Sequence, residues 1–198
     1  MSDESPLPGL VLASGSPHRK ALLQRLGLPF DQRAPDIDES PIADESEIAY
    51  VQRLARSKAE ALAGRFPDRV IIGSDQTACL AGRLIGKPGS HARAVEQLLE
   101  ASGNTLHFHT ALCVLDAQRA RHSLDVVTIE AEFRELDRPT AERYLAAEPA
   151  YDCAGSFRSE GLGISLLTAM RGDDPTALIG LPLIRLCERL RAIGFSIP

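Results

Sequence analysis

The sequence predicts an α/β fold, a mixed twisted sheet flanked by helices, in one domain or one compact unit with two lobes around a central cleft. Three observations predict it. Short apolar runs alternate with segments of helical period, the N-terminal part reads as strand–loop–helix, and the later part reads as two long strands of a meander. A purely parallel sheet is therefore not expected. The 198 residues, 44% of them apolar, suffice for a real core and fit one domain over residues 1–198. Residues 1–8 read as a frayed terminus.

The elements follow in order. Leu10-Val11-Leu12-Ala13 is a buried strand, and a helix from Pro17 to Leu26 follows a small-residue loop and closes at Gly27. A long helix begins after Asp44 or Ser46. On a 100° wheel its Ile48, Val51, Ala55, Ala59 and Leu62 share one face, and Lys58 falls inside that stripe. Val70-Ile71-Ile72-Gly73 is a second buried strand, leading into a turn at Ser74-Asp75-Gln76, and Thr77 to Ile85 forms a hairpin turning at Ala81-Gly82-Arg83. Ser90 caps a helix ending near Ser102-Gly103; Leu106–Leu115 and Asp125–Phe133 are long strands; Thr140 caps a short helix. Gly163 to Leu167 is strand-like, Asp173-Asp174-Pro175 a turn, and Leu183 to Leu190 a final helix.

Composition excludes several classes. With 22 Lys and Arg against 27 Asp and Glu, the net charge of −5 argues against a dedicated nucleic-acid or anionic-membrane binder, which needs a basic face. No tryptophan, three tyrosines and six phenylalanines poorly supply base-stacking platforms. Cys79, Cys113, Cys153 and Cys187 show no CxxC spacing and read as buried reduced thiols. The acidic N-terminus lacks the character of a signal peptide, so a cytoplasmic location is expected.

Three places carry candidate chemistry. Ser14-Gly15-Ser16-Pro17-His18-Arg19-Lys20 joins a strand to a helix start, where unpaired N–H groups and the positive end of the dipole suit an anion. The alternative is an ordinary Ser16 cap. Lys58 on a core face either snorkels to the rim or faces a buried anion in a cleft. Asp75, at the carboxyl end of a strand, sits where ligands collect in open α/β sheets, and Asp36, Asp38 and Glu39 add acids suited to a hard cation with substrate phosphates. Three other patterns fail. Gly82 to Pro88 has the wrong spacing for a phosphate loop, His107 and His109 share a strand face but have no third ligand at a recognisable spacing, and Gly161-Leu162-Gly163 is an incomplete dinucleotide fingerprint.

Leu12-Ala13-Ser14-Gly15-Ser16-Pro17-His18-Arg19, Asp36-Ile37-Asp38-Glu39, Leu54-Ala55-Arg56-Ser57-Lys58-Ala59, Gly73-Ser74-Asp75-Gln76, Gly86-Lys87-Pro88 and Gly180-Leu181-Pro182, in this order, resemble the Maf family of nucleoside triphosphate pyrophosphatases. The likeness runs from about Leu10 to Leu190 and implies a Maf/inosine-triphosphatase-like fold. Gly73-Ser74-Asp75-Gln76 and the segment from Cys153 to Gly161 resemble the branch that hydrolyses 7-methyl-GTP, whereas the dTTP/UTP branch typically has Asp-Thr and Gln-Gly at those places.

The resemblance implies cleavage between the α and β phosphates to a nucleoside monophosphate and pyrophosphate, with a divalent metal, Mg²⁺ or Mn²⁺. By position, Asp75 matches the proton acceptor, and His18, Gln76 and Glu160 match specificity positions. His18 departs from the tryptophan that related 7-methyl-GTP enzymes can carry. A carboxylate at Glu160 suits the N–H groups of a guanine edge and the positive charge of a methylated ring. Ser14, Ser16, Arg19, Lys58 and Lys87 are expected to bind phosphates, and Glu39 with Asp75 to hold the metal. The expected partner is the nucleotide, with a homodimer implied by family analogy and no membrane or stable nucleic-acid partner. Two alternatives stay open: a dTTP/UTP or broad-specificity pyrophosphatase, and a non-catalytic nucleotide-binding regulator of septum formation.

Overall fold

A computed structural model describes residues 9–198 of the chain, so the terminus expected to fray lies outside the described residues. One seven-stranded mixed sheet runs through the molecule in the order β2-β1-β3-β5-β6-β7, with β4 paired to β3. The strands are β1 (Leu10–Ala13), β2 (Phe30–Arg33), β3 (Val70–Leu80), β4 (Arg83–Ile85), β5 (Thr105–Asp116), β6 (Arg121–Phe133) and β7 (Leu167–Arg171). The helices are α1 (Pro17–Gln24), α2 (Glu47–Ala63), α3 (His91–Ala101), α4 (Arg138–Ala147) and α5 (Leu183–Ala192). β1 lies parallel to β2 and β3, and the remaining pairs are antiparallel.

Alternation along the strands divides the core. Leu10, Leu12, Ile72 and Leu112 pack on α1 and α5, whereas Val11, Ala13, Ile71, Ala111 and Cys113 pack on α2 across the sheet. At the far ends of β3, β5 and β6, Ala78, Phe108 and Ile129 cluster with Leu98 of α3 and Leu145 of α4. These two helix-covered regions are the lobes, and the cleft opens between them.

The position of the cleft follows from the edge of β3. β1 pairs with it only over Val70–Gly73 and β4 only over Ala78–Leu80, both on the edge opposite β5. Ser74 to Thr77 therefore have no ladder partner on that edge, and the chain leaving β1 swings away there as the Ser14–Ser16 loop.

The N-terminal caps behave as their residue types require: Ser16, Ser46 and Ser90 each accept the N–H three residues on, opening α1, α2 and α3. Five expectations are corrected. β2 was not expected, because Phe-Asp-Gln-Arg has no apolar period and sits at the sheet edge. β3 continues for 11 residues through Asp75 instead of turning there, since the antiparallel ladder with β5 extends to Cys79. The cap of α4 is Asp137, whose side chain accepts from Thr140 N–H, so Thr140 lies inside the first turn. Leu162–Leu166 form a 3-10 turn and the strand starts only at Leu167. Ile48 is exposed, while Val51, Leu54, Ala55, Lys58, Ala59 and Leu62 form the buried face of α2.

Among the cysteines, Cys79 and Cys113 are buried, whereas Cys153 and Cys187 are only partly so. No helix among the described residues is long and apolar enough to cross a membrane.

Candidate active site

A cleft of about 610 Å³ is lined by Ser14, Ser16, His18, Arg19, Glu39, Lys58, Asp75, Gln76, Lys87 and Glu160. Its floor is the unpaired edge of β3. Asp36 and Asp38 do not line it, and Asp38 turns back to accept the Ser40 N–H at 2.9 Å.

At one end lies the β1–α1 loop. Ser14 Oγ accepts the Ser16 N–H at 3.1 Å, and Ser16 Oγ accepts the Arg19 N–H at 3.3 Å, so both hydroxyls shape the loop and Ser16 does cap the helix. Gln32 of β2 fastens the loop from below, donating to the carbonyls of Ser14 and Ser16 at 2.8 and 3.2 Å. Arg19 donates through Nε to the Gly180 carbonyl at 2.8 Å, and Ser74 Oγ donates to the same oxygen at 2.9 Å. Gly180 takes a left-handed backbone, φ +117°, which favours glycine and turns that carbonyl toward both donors. Burial lowers the Arg19 pKa, with Asp75 and Glu39 pulling it back, and a guanidinium stays charged throughout.

In the middle, α2 meets β3. A Cβ on Gly73 would overlap the Ala55 carbonyl oxygen, so the helix can lie this close only over a glycine. The close approach brings Lys58 Nζ to 2.6 Å from Asp75 Oδ1, with Glu39 Oε1 at 2.9 Å from the same ammonium. Lys58 and Asp75 are 6% and 7% exposed, which places the lysine in a cleft and not on the rim. Burial raises the Asp75 pKa above its ordinary value despite the opposing pull of Lys58 and Arg19, and Glu39 adds to the rise. Sequence reasoning missed Tyr50, whose hydroxyl donates to the Glu39 carbonyl at 2.9 Å. Arg53, one turn on, holds Glu45 at 2.7 Å and the Ser40 carbonyl at 3.1 Å, so α2 pins the loop that presents Glu39.

The third part lies toward the other lobe. Gln76, facing away from Asp75 by strand alternation, donates through Nε2 to Thr110 Oγ1 and to the Ala177 and Leu178 carbonyls at 2.7 to 3.0 Å. Those acceptors fix the amide nitrogen inward and leave the oxygen as its remaining polar group. His18 Nδ1 lies 3.8 Å from Glu160 Oε1, so two residues distant in sequence share one end of the cleft. Lys87 sits exposed in a loop held by Gln97, which donates to the Gly86 carbonyl at 3.0 Å.

His107 and His109 stack at 6.4 Å on the sheet surface, His109 bonded to Thr128, and among the described residues no cluster of three His, Cys, Asp or Glu could hold a metal. Glu39 and Asp75 nevertheless offer two hard oxygen donors converging on one cationic group. That set fits a Mg²⁺-type ion, which takes one or two carboxylates and completes its shell with water and substrate phosphates.

Fold and cleft define an α/β protein in which a strand–loop–helix unit faces a lysine-bridged carboxylate pair. The chain belongs to the Maf family: the family model described as Maf-like protein matches residues 9–193. Relatives include a protein of Pseudomonas savastanoi pv. phaseolicola, 52% identical over 97% of this chain and 100% of its own, named 7-methyl-GTP pyrophosphatase. One of Xanthomonas axonopodis pv. citri, 53% identical over the same shares, carries the same name. Among solved structures, the Staphylococcus aureus Ham1 protein superposes with a TM-score of 0.45 at 18% identity, over 63% of this chain and 71% of that one.

Proposed function

We propose that this protein is a nucleoside triphosphate pyrophosphatase that hydrolyses 7-methyl-GTP to 7-methyl-GMP and pyrophosphate. Such an activity removes a modified nucleotide from the cytoplasmic pool before it enters nucleic acid. The observation that carries the reading is the Lys58–Asp75 pair at 2.6 Å, buried on the open edge of β3 within one cleft that also holds Arg19 and Glu160. Relatives at about half identity bear the name of this activity.

In this reading the triphosphate lies along the cleft between the α1 N-terminus and Lys87. Arg19, Lys87 and the loop of Ser14 and Ser16 meet its charge. Lys58 holds the two carboxylates in place and offsets their charge. Asp75 orients a water and takes its proton as the water oxygen attacks the α phosphorus; the bond to the α–β bridging oxygen breaks, and that oxygen leaves with pyrophosphate. A raised carboxyl pKa suits this role, because the base then holds the proton more firmly near working pH. A divalent ion on Glu39 and Asp75 would neutralise phosphate charge and polarise the reacting phosphoryl oxygens.

The base sits at the His18–Glu160 end. Glu160 accepts from the ring N–H and exocyclic amine of guanine, while uracil offers a single such donor. The test is pyrophosphate release with Mg²⁺ or Mn²⁺ across 7-methyl-GTP, GTP, UTP, dTTP and CTP, with Asp75→Asn as control. Selective, Asp75-dependent turnover of 7-methyl-GTP is expected. Preference for UTP and dTTP would overturn the base assignment, and absence of any turnover would overturn the enzyme.

A further inference from the structure

Glu160 is presented by a short loop, Arg158 to Gly163, and that loop is fastened at both ends by side chains that do not line the cleft. The Arg158 N–H donates to the Tyr144 hydroxyl at 3.0 Å. That hydroxyl donates to Glu148 Oε2 at 3.1 Å, and the Gly163 N–H donates to the same oxygen at 3.1 Å. One carboxylate thus gathers both ends of the loop, directly at one and through a tyrosine at the other.

The two fastening residues are themselves rigidly placed. They lie one turn apart at the end of α4, where the Glu148 N–H donates to the Tyr144 carbonyl at 2.8 Å, and Tyr144 is buried in the core of that lobe. The loop also follows a path open only to glycine at Gly163, where a Cβ would overlap the Arg158 backbone, and it passes close enough to its fastening at Gly161 that a Cβ there would displace the Glu148 carboxylate. A charged acceptor taking a backbone N–H and a hydroxyl in a partly buried place makes strong bonds. Glu160 lies between the two fastened ends, so its direction of approach is set by that wrap.

We propose that Glu148 and Tyr144 are specificity-positioning residues: by fixing the curve of Arg158 to Gly163 they set the point from which Glu160 meets the base. This rests on the reading of Glu160 as the group that recognises the base. A merely structural fastening would weaken folding, or lower turnover, without regard to which end of the nucleotide is bound.

The experiment compares Glu148→Ala, Tyr144→Phe, Glu160→Gln and the double variant Glu148→Ala/Glu160→Gln. It measures kcat and KM for 7-methyl-GTP and the inhibition constant of inorganic pyrophosphate, which carries no base. Glu148→Ala is expected to raise KM about tenfold while kcat and the pyrophosphate constant stay within about threefold. Tyr144→Phe, which deletes one hydroxyl, moves KM the same way and decides the matter if Glu148→Ala does not fold. The double variant is expected to be no worse than Glu160→Gln alone, because the fastening acts through Glu160. The proposal is overturned by additive losses in the double variant, by a parallel rise in the pyrophosphate constant, or by an unchanged KM in Glu148→Ala and Tyr144→Phe when Glu160→Gln raises it. An unchanged KM in Glu160→Gln itself would instead sink the base reading, and this inference with it.

Discussion

Lys58 on the core face of α2 donates to Asp75 in the middle of β3 at 2.6 Å, with both side chains almost fully out of water. Each group answers for the other's burial: a lone ammonium or carboxylate there would be strongly destabilising, and breaking such a pair costs about 3–5 kcal/mol. The pair exists because α2 rides on Gly73, two residues before Asp75 and so on the same face of β3.

Replacing the lysine changes the pH dependence of turnover. Burial already raises the Asp75 pKa, and the Lys58 ammonium is the strongest influence lowering it. The base works only when deprotonated, so activity falls as pH drops through that raised value. Lys58→Met removes the lowering influence, moving the acid limb of the pH–rate profile to higher pH. An unmoved or lowered limb would separate Lys58 from the base.

Asp75→Asn keeps size and hydrogen bonding but removes the proton acceptor. Pyrophosphate release is expected to drop by about two or more orders of magnitude, with binding of 7-methyl-GTP by calorimetry largely kept. Retained turnover would take Asp75 out of the role.

Gly73→Ala tests the close approach of helix and strand. The new methyl meets the Ala55 carbonyl and the backbone of α2, so the helix must move. Urea unfolding should show a loss of about 1–3 kcal/mol. Turnover should fall as well, because the movement pulls Lys58 from Asp75.

Tyr50→Phe removes the donor to the Glu39 carbonyl and loosens the loop that presents this carboxylate. The Mg²⁺ concentration giving half-maximal activity, and the affinity for Mn²⁺ read by electron paramagnetic resonance, should each weaken by about tenfold. Turnover at saturating metal should change much less. Unaltered metal dependence on both measures would remove Glu39 from the metal site or Tyr50 from its support.

Much of the fold was legible because local physics decides it. Leu10–Ala13 and Val70–Ile72 are apolar runs too short for helices, and Ser16, Ser46 and Ser90 each mark a helix start by the hydrogen bond their hydroxyl can make. β2 was hidden because an edge strand of mixed polarity carries no period, and Asp137 was overlooked for Thr140 because both residues can cap. Tyr50, Tyr144 and Glu148 carried no signal at all: a tyrosine or glutamate on a helix reads as packing or solvation until its partner is known.

The sequence by itself determined the chemical parts of this protein: a helix start capped by Ser16 and followed by Arg19 and Lys20, a lysine on an apolar face, an acid after a buried strand, and a family order that joins them. The tertiary structure decided what those parts do to one another. Only the register of β3 against β1 and β4 leaves Ser74 to Thr77 open, only the glycine contact with α2 puts Lys58 on Asp75, and only the joining of two lobes sets Glu160 beside His18. Periodicity fixes which way a side chain faces within its own element. Pairing between elements depends on register and on how closely backbones can approach, and those are properties of the packed whole.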